Sequence, residues 1–316
     1  LIRRQRQMCI RDRPLPERTK EVLRRTDCAL FGAITSKPRD EAVQELKPEL
    51  CDKGYTYFSP IVQIRQEFDL HTNLRPCKAF PGNPLNYRDD IDLVVFRENT
   101  EDLYVGVEWF PLPDSVRKAV DVHPKMKRFA QVPSEEIAVS LRLNPVKGCE
   151  SIARQAFEYA RKHGRKRVTI VEKPNVIRET SGLMVRSARK IARDYPDVRF
   201  DEANIDAMCM WLVKNPQDYD VLIASNMFGD IVSDLAGQLV GGLGFACSGN
   251  LGDNYALFEP THGSAPKYAG QYKVNPMAML LSVRLMLDWL GEAESAVRLE
   301  NAIGAVIAEG SIRTYD

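Results

Sequence analysis

The sequence predicts a two-domain α/β protein, and three observations carry that expectation. Short apolar runs, such as VLIA at 221–224, alternate with stretches of helical spacing along nearly the whole chain. At 316 residues the chain is longer than one hydrophobic core usually serves. No Gly-x-Gly-x-x-Gly follows a first strand, so an ordinary Rossmann fold is not expected. The stretch around which the rest is arranged is NMFGDIVSD at 226–234. Asp230 and Asp234 stand at i and i+4, so on a helix both carboxylates project from one face. Like charges so placed repel unless a cation lies between them, and hard oxygen donors suit Mg²⁺ or Mn²⁺. A helix with an acidic first turn is the plainer reading. The apolar run just before it tips the balance, because open α/β sheets bind ligands at the carboxyl ends of buried strands.

Composition narrows the function classes. A hydrophobic content of 44% and a charged content of 28% are ordinary for a globular protein, and a net charge of +1 gives no field for nucleic acid or an anionic membrane. The seven cysteines are odd in number and form no CxxC pair, which argues against a disulfide framework or zinc site and for a reducing, cytoplasmic location. The histidines at 71, 123, 163 and 262 show no metal-ligand spacing. No apolar run is long enough to span a bilayer; the nearest, 277–290, carries Arg284 and Asp288 and reads as a buried helix. Residues 1–13 hold five Arg against one Asp and look like a non-native head, with an Arg-rich presequence as the other reading.

In chain order, residues 28–31 read as a strand ending in a turn with Thr35, and 41–50 as a helix. A helix over 59–68 would hold Pro60 in its first turn, where a missing N–H costs nothing. Arg65, Arg75 and Arg97 each lie near the end of a periodic element; Arg97 follows the apolar strand at 91–96. Single arginines are surface charges as a rule, but three so placed make forks for a polycarboxylate or phosphate. Tyr104, by itself, is a packing tyrosine. Residues 108–133 contain four prolines and read as a solvated loop or an exchanged arm, followed by a weak strand at 137–143. A helix over 148–163 precedes a strand at 167–171, which places Lys173 at a strand's carboxyl end. A lysine there is usually solvated, yet beside a cation it is a usable base. Asp206 reads locally as an N-cap or first-turn acid. Small residues at 263–265, with His262, Lys267 and Tyr268, suit a phosphorylated nucleotide about as well as they suit an ordinary polar loop. Helices over 277–290 and 295–308 close the chain.

Five motifs together resemble the isocitrate/isopropylmalate dehydrogenases: Arg65 with NLRP at 73–76, RENTEDLY at 97–104, KPN at 173–175, NMFGDIVSD at 226–234, and HGSAP at 262–266. The resemblance runs from about residue 14 to 316. It implies the family's two-domain α/β/α fold, with residues 14–70 plus 241–316 on the cofactor side. Residues 71–240 would form the other domain, with a dimer arm at about 109–145. It further implies that Arg65, Arg75 and Arg97 hold a malate moiety and that Asp206, Asp230 and Asp234 hold Mg²⁺ or Mn²⁺. Lys173 would be the base and Tyr104 the acid, with Lys173 and Asp206 supplied by the second copy of a homodimer. The expected cofactor residues are Thr35, Asn175, His262, Gly263, Ser264, Ala265, Lys267, Tyr268, Asn275 and Tyr315. Lys267 with Tyr268 favours NADP over NAD. Ser59, six residues before Arg65, and the stretches at 97–109 and 267–276 resemble the isocitrate enzymes, so oxidative decarboxylation of isocitrate to 2-oxoglutarate is the expected reaction. Ile61 lies nearer to isopropylmalate enzymes, and 3-isopropylmalate and homoisocitrate are the alternatives. A regulatory, non-catalytic subunit is the alternative of another class. The family's first strand and its GDGIGPE turn are not in this sequence, nor is its last helix, so a truncated chain is expected.

Overall fold

The computed structural model describes residues 15–35 and 59–314. The expected head, the helix at 41–50 and Tyr315 lie outside the described residues. Helix α1 (Glu17–Leu23) leads to strand β1 (Cys28–Leu30), and helix α2 (Pro60–Glu67), with Pro60 in its first turn, leads to β2 (Thr72–Lys78) and β3 (Asp92–Glu98). Then come β4 (Glu108–Trp109), α3 (Asp114–Asp121), β5 (Val139–Ser140), α4 (Val146–Lys162), β6 (Arg167–Glu172) and α5 (Thr180–Ala192). The chain continues with β7 (Arg199–Asn204), α6 (Ile205–Lys214), β8 (Val221–Ala224), α7 (Asn226–Gln238), β9 (Cys247–Leu251) and β10 (Ala256–Pro260), and ends with α8 (Met277–Trp289) and α9 (Ala293–Glu309).

Eight strands form one twisted sheet in the order β1-β10-β9-β2-β3-β8-β6-β7, and β4 pairs with β5 apart from it. β3, β8, β6 and β7 run parallel, as do β1 and β10; β9 and β2 join the two halves through antiparallel pairings. Alternation along β3 sorts its residues between two cores. Val94 and Phe96 face α4, α5 and α8, while Leu93 and Val95 face α6 and α7. Each fully buried Phe or Ile contributes about 1.5–3 kcal/mol. The same parity turns Arg97, and Arg75 on β2, toward α7. That is how two guanidiniums come to stand over the acidic helix.

Several elements differ from the sequence-based expectation. β2 is a buried strand written in polar letters, TNLRPCK, so no apolar periodicity announces it, and Arg75 sits in mid-strand rather than at an element's end. Its Pro76 is tolerated because β9 pairs only with Thr72 to Leu74, leaving that side of the strand open. β7 and β9 are likewise strands that periodicity did not reveal. The prolines at 108–133 enclose helix α3 and a 3₁₀ turn over Pro124–Phe129, and the strand expected at 137–143 shrinks to Val139–Ser140. Among the described residues, no helix is long and apolar enough to cross a membrane.

α7 packs so closely on β3 that a Cβ at Gly229 would lie 2.7 Å from Arg97 Cβ. Gly229→Ala should therefore lower stability by about 1–3 kcal/mol through overpacking. Urea unfolding of the variant reads this out, and an unchanged midpoint would mean that the helix shifts without cost.

Candidate active site

The site is built on the first two turns of α7. Ser225 precedes the helix, and the fully buried β8 ends immediately before it, so Asp230 and Asp234 emerge at the carboxyl edge of the sheet. Arg75 Nη1 lies 3.1 Å from Asp230 Oδ1 and 3.1 Å from Asp234 Oδ1, and it donates to Ser233 Oγ at 2.7 Å. Arg75 Nε is tied to Asn73 Oδ1 at 2.7 Å. Arg97 bonds Asp230 through Nη1, and Asn226 Oδ1 through Nε and Nη2 at 3.0 and 2.8 Å. Tyr104 Oη donates to Asp230 Oδ2 at 3.1 Å, with its ring under the Arg97 guanidinium. A guanidinium thus already bridges the two carboxylates, which is the place a divalent cation would take, and the hard oxygen donors fit Mg²⁺ or Mn²⁺.

The electrostatics follow from this crowding. Burial, then the Arg75 charge, disfavour the Arg97 cation, and Asp230 offsets part of that. Burial raises the Asp234 pKa, opposed by Arg75 and aided by Asp230. Burial, then the Asp230 charge, raises the Tyr104 pKa and keeps the phenol protonated.

Beside the array lies a cavity of about 120 Å³, walled by Arg65, Arg75, Ile61, Ile34, Glu259 and His262 among others. Arg65 Nη2 donates to Glu259 Oε1 at 3.0 Å, while its buried Nε has no partner among the described residues. An orphaned cationic donor in a wall invites an anionic ligand. Ser59 stands at the N-cap of α2 and is not in the wall.

His262 joins the cavity to the expected cofactor residues. Thr35 Oγ1 lies 2.8 Å from Ser264 Oγ and accepts from Ser264 N at 3.1 Å, and a Cβ at Gly263 would crowd that hydroxyl. Ala265 is in the left-handed region at φ 41°, which turns the chain into the 3₁₀ turn Pro266–Tyr268. There the exposed Lys267 amine sits over the Tyr268 ring. Asn275 caps α8 through Met277 N at 2.9 Å.

Three expected site residues do not join the array. Lys173, in the loop after β6, pairs with Asp206 in the first turn of α6, and Asn175 is exposed beside it. Among the described residues, no group of three His, Cys, Asp or Glu side chains gathers Asp206 with Asp230 and Asp234.

Sequence reasoning missed a second buried network just behind the site. Arg142 reaches Asp102, Glu172, Ser181 and Ser225, and Asp102 Oδ2 accepts from Met227 N at 2.9 Å. Asp102 holds φ 67° and ψ −149°, a region nearly reserved for glycine, at a cost of about 1–3 kcal/mol. Such strain persists only where the surroundings fix it. The available signal was an acid within each of two quoted motifs, RENTEDLY and the strand before KPN.

Comparisons with known proteins show the family and the fold. The family model described as isocitrate/isopropylmalate dehydrogenase matches residues 6–316. Protein DlpA of Legionella pneumophila is 38% identical over 304 residues, covering 96% of this chain and 48% of that protein. A 3-isopropylmalate dehydrogenase of Methanothermobacter thermautotrophicus is 38% identical, with 94% and 78% covered. The crystal structure of isocitrate dehydrogenase from Methylococcus capsulatus superposes with a TM-score of 0.81 at 38% identity, covering 96% of this chain and 79% of that one. The chain spans about half the length of the first relative and nearly four fifths of the other two. On that match, a two-domain α/β fold and a carboxylate helix faced by Arg75 and Arg97, the chain belongs to the isocitrate/isopropylmalate dehydrogenase family, whose members are β-decarboxylating, NAD(P)-dependent enzymes.

Proposed function

We propose that the chain oxidatively decarboxylates a 3-substituted malate, with hydride passing to NADP. The observation that carries this reading is Arg75 held between Asp230 and Asp234 next to a cavity into which Arg65 brings an unpartnered donor. Substrate carboxylates would take Arg65, Arg75 and Arg97 as partners, releasing Asp230 and Asp234 to hold Mg²⁺ or Mn²⁺ with Asp206 of a second copy. The bound cation supplies polarisation of the 2-oxo group and stabilisation of the enolate. Lys173 of the second copy takes the hydroxyl proton as hydride leaves C2 for the nicotinamide. The bond from C3 to its carboxylate then breaks, CO₂ departs with the electron pair left on the enolate, and Tyr104 returns a proton to C3. The raised pKa, from burial first and then the Asp230 charge, means that Tyr104 carries the proton this role requires.

Several features support the homodimer and its division of labour. Phe110 and Val122 on the arm, Met210 and Val213 on α6, and Ile231 on α7 are all exposed, and a second copy would cover them. We take residues 14–70 with 241–316 as the cofactor-side domain, and 71–240 as the other, with the arm at about 109–145. The free thiols at Cys28, Cys77, Cys149, Cys209 and Cys247 support a cytoplasmic location.

For the substituent, Ile61 and Ile34 in the cavity wall favour an alkyl group, as in 3-isopropylmalate, over the further carboxylate of isocitrate. The isocitrate reading, which Ser59 favours, is the second one. Both kinds of enzyme occur among the relatives at the same identity, so this preference rests on the wall residues alone. A regulatory subunit has no chemical need for Tyr104, Lys173 and three aspartates together.

Three outcomes check this reading in a full-length protein. Lys173→Ala should abolish turnover while calorimetry still finds substrate binding; undiminished turnover removes the proposed base. Ile61→Asn should lower kcat/KM for 3-isopropylmalate relative to isocitrate by about 10- to 200-fold, the worth of a few apolar contacts. A wild-type protein that already prefers isocitrate would reverse the assignment. For the cofactor, a charge-assisted contact from Lys267 to a 2′-phosphate is worth about 1.5–3 kcal/mol, or roughly one to two decades of preference for NADP. The pair Lys267→Asp with Tyr268→Ile should shift that preference toward NAD, and a wild-type preference for NAD would refute the role of these two side chains.

A further inference from the structure

We infer that Arg142 is a positioning residue that keeps the segments bearing the proposed acid and base in register with the carboxylate helix; this rests on the reading of Tyr104 and Lys173 given above. Its guanidinium stands between two carboxylates that are each 0% exposed, Asp102 and Glu172. Asp102 lies two residues before Tyr104, and Glu172 immediately precedes Lys173. The remaining donors reach Ser181 Oγ at 3.0 Å, at the start of α5, and Ser225 Oγ at 2.7 Å, at the start of α7. The guanidinium plane also lies over the Phe228 ring, 5.1 Å from its centroid.

Two buried carboxylates against one cation leave one negative charge unanswered. The first turn of α7 answers it: Ser225 N donates to Glu172 Oε1 and Met227 N to Asp102 Oδ2, each at 2.9 Å. These amides are unpaired within the helix and lie at its positive end. One side chain therefore sets three separate pieces of chain against one another: the Tyr104 loop, the Lys173 loop and the helix of Asp230 and Asp234. The strained backbone of Asp102 is held by the same bonds, together with Asp102 N to Leu143 O at 2.8 Å. Because Tyr104 serves this chain's own site and Lys173 serves the second copy's, Arg142 links the two sites of the dimer. Only a planar fork with five donors can do this. A lysine keeps the charge but reaches one carboxylate at a time.

The control is Arg165, which bonds Asp92 Oδ1 at 2.7 Å and Asp220 Oδ1 at 3.1 Å at the opposite end of the same strands, β3 and β8. In the full-length protein, Arg142→Lys should lower kcat about 10- to 100-fold with KM changed less than about threefold, since small misplacements of positioned groups act on the chemical step. The limbs of its kcat–pH profile should move as well. Arg165→Lys should lose thermal stability yet keep kcat and the pH profile. An Arg142→Lys protein with normal kcat and an unmoved profile overturns the inference, and so does an equal loss of kcat in Arg165→Lys. Should Arg142→Lys not fold, Ser181→Ala deletes the Nη1 partner together with its own hydrogen bond to Glu172 Oε2, loosening the same network, and should still lower kcat about two- to fivefold at unchanged KM; no change there overturns the inference too. Lys173→Ala, measured alongside, separates the two levels. Turnover that survives it counts against the reading of the site, whereas turnover lost there but intact in Arg142→Lys counts against positioning alone.

Discussion

The charge balance around Asp230 is the constraint on which the rest of the structure depends. Arg75, Arg97 and Tyr104 all converge on this one carboxylate from three different segments. Arg97 is only 3% exposed, so its charge has lost most of its water. Ion pairs this buried seldom add net stability, because desolvation consumes the Coulombic gain, but removing one partner is expensive. The array is therefore better understood as a constraint on arrangement than as a source of stability. It forces β2, β3 and α7 into one register, and Gly229 lets the helix approach closely enough for the bonds to form.

The same balance bears on how the arginines and acids could exchange partners with a ligand. Three guanidiniums face Asp230, Asp234 and Glu259, so the array is close to self-neutral. On the proposed reading, a substrate with carboxylates and a divalent cation would arrive as a pair and swap partners with it, acids going to the metal and arginines to the substrate. Neither half of that exchange is favourable alone, since each would leave buried charge unpaired. Together they conserve charge. On that reading, substrate and metal binding should be coupled by the geometry of the array.

Much of this was legible in the sequence, and the limits have physical causes. The strand at 221–224 and the helix after it could be read directly, because a fully buried parallel strand is an unbroken apolar run and the acids follow at helical spacing. β2 could not be read. Its burial pattern is that of a core strand, but Thr72, Asn73 and Arg75 are buried through hydrogen bonds and ion pairs, which leave no apolar periodicity. The arginines were found by their number and the motifs around them, not by where they point. Arg142 escaped notice because nothing local distinguishes it. Its partners lie 30 to 83 positions away, and only the folded chain brings them together.

Lys173 and Asp206 show what a single chain can and cannot do. Both lie at the carboxyl edge of the sheet, on the loop after β6 and the helix after β7, the same edge from which α7 rises after β8. β6 stands between β8 and β7, so Asp206 enters two strand positions away from Asp230, about 10 Å across the sheet at roughly 4.8 Å per strand. Carboxylates that share one Mg²⁺ must each come within about 2.1 Å of it. An aspartate side chain does not bridge that gap, and here Asp206 turns instead to Lys173. On the proposed reading, a third acid for the cation would come from outside this chain's own array. A second copy related by a twofold axis, packing α6 and α7 against their equivalents, would bring one in, because the exposed Met210, Val213 and Ile231 lie on the same two helices as the acids. On the proposed reading, one partner would both cover the apolar surface and supply the third acid.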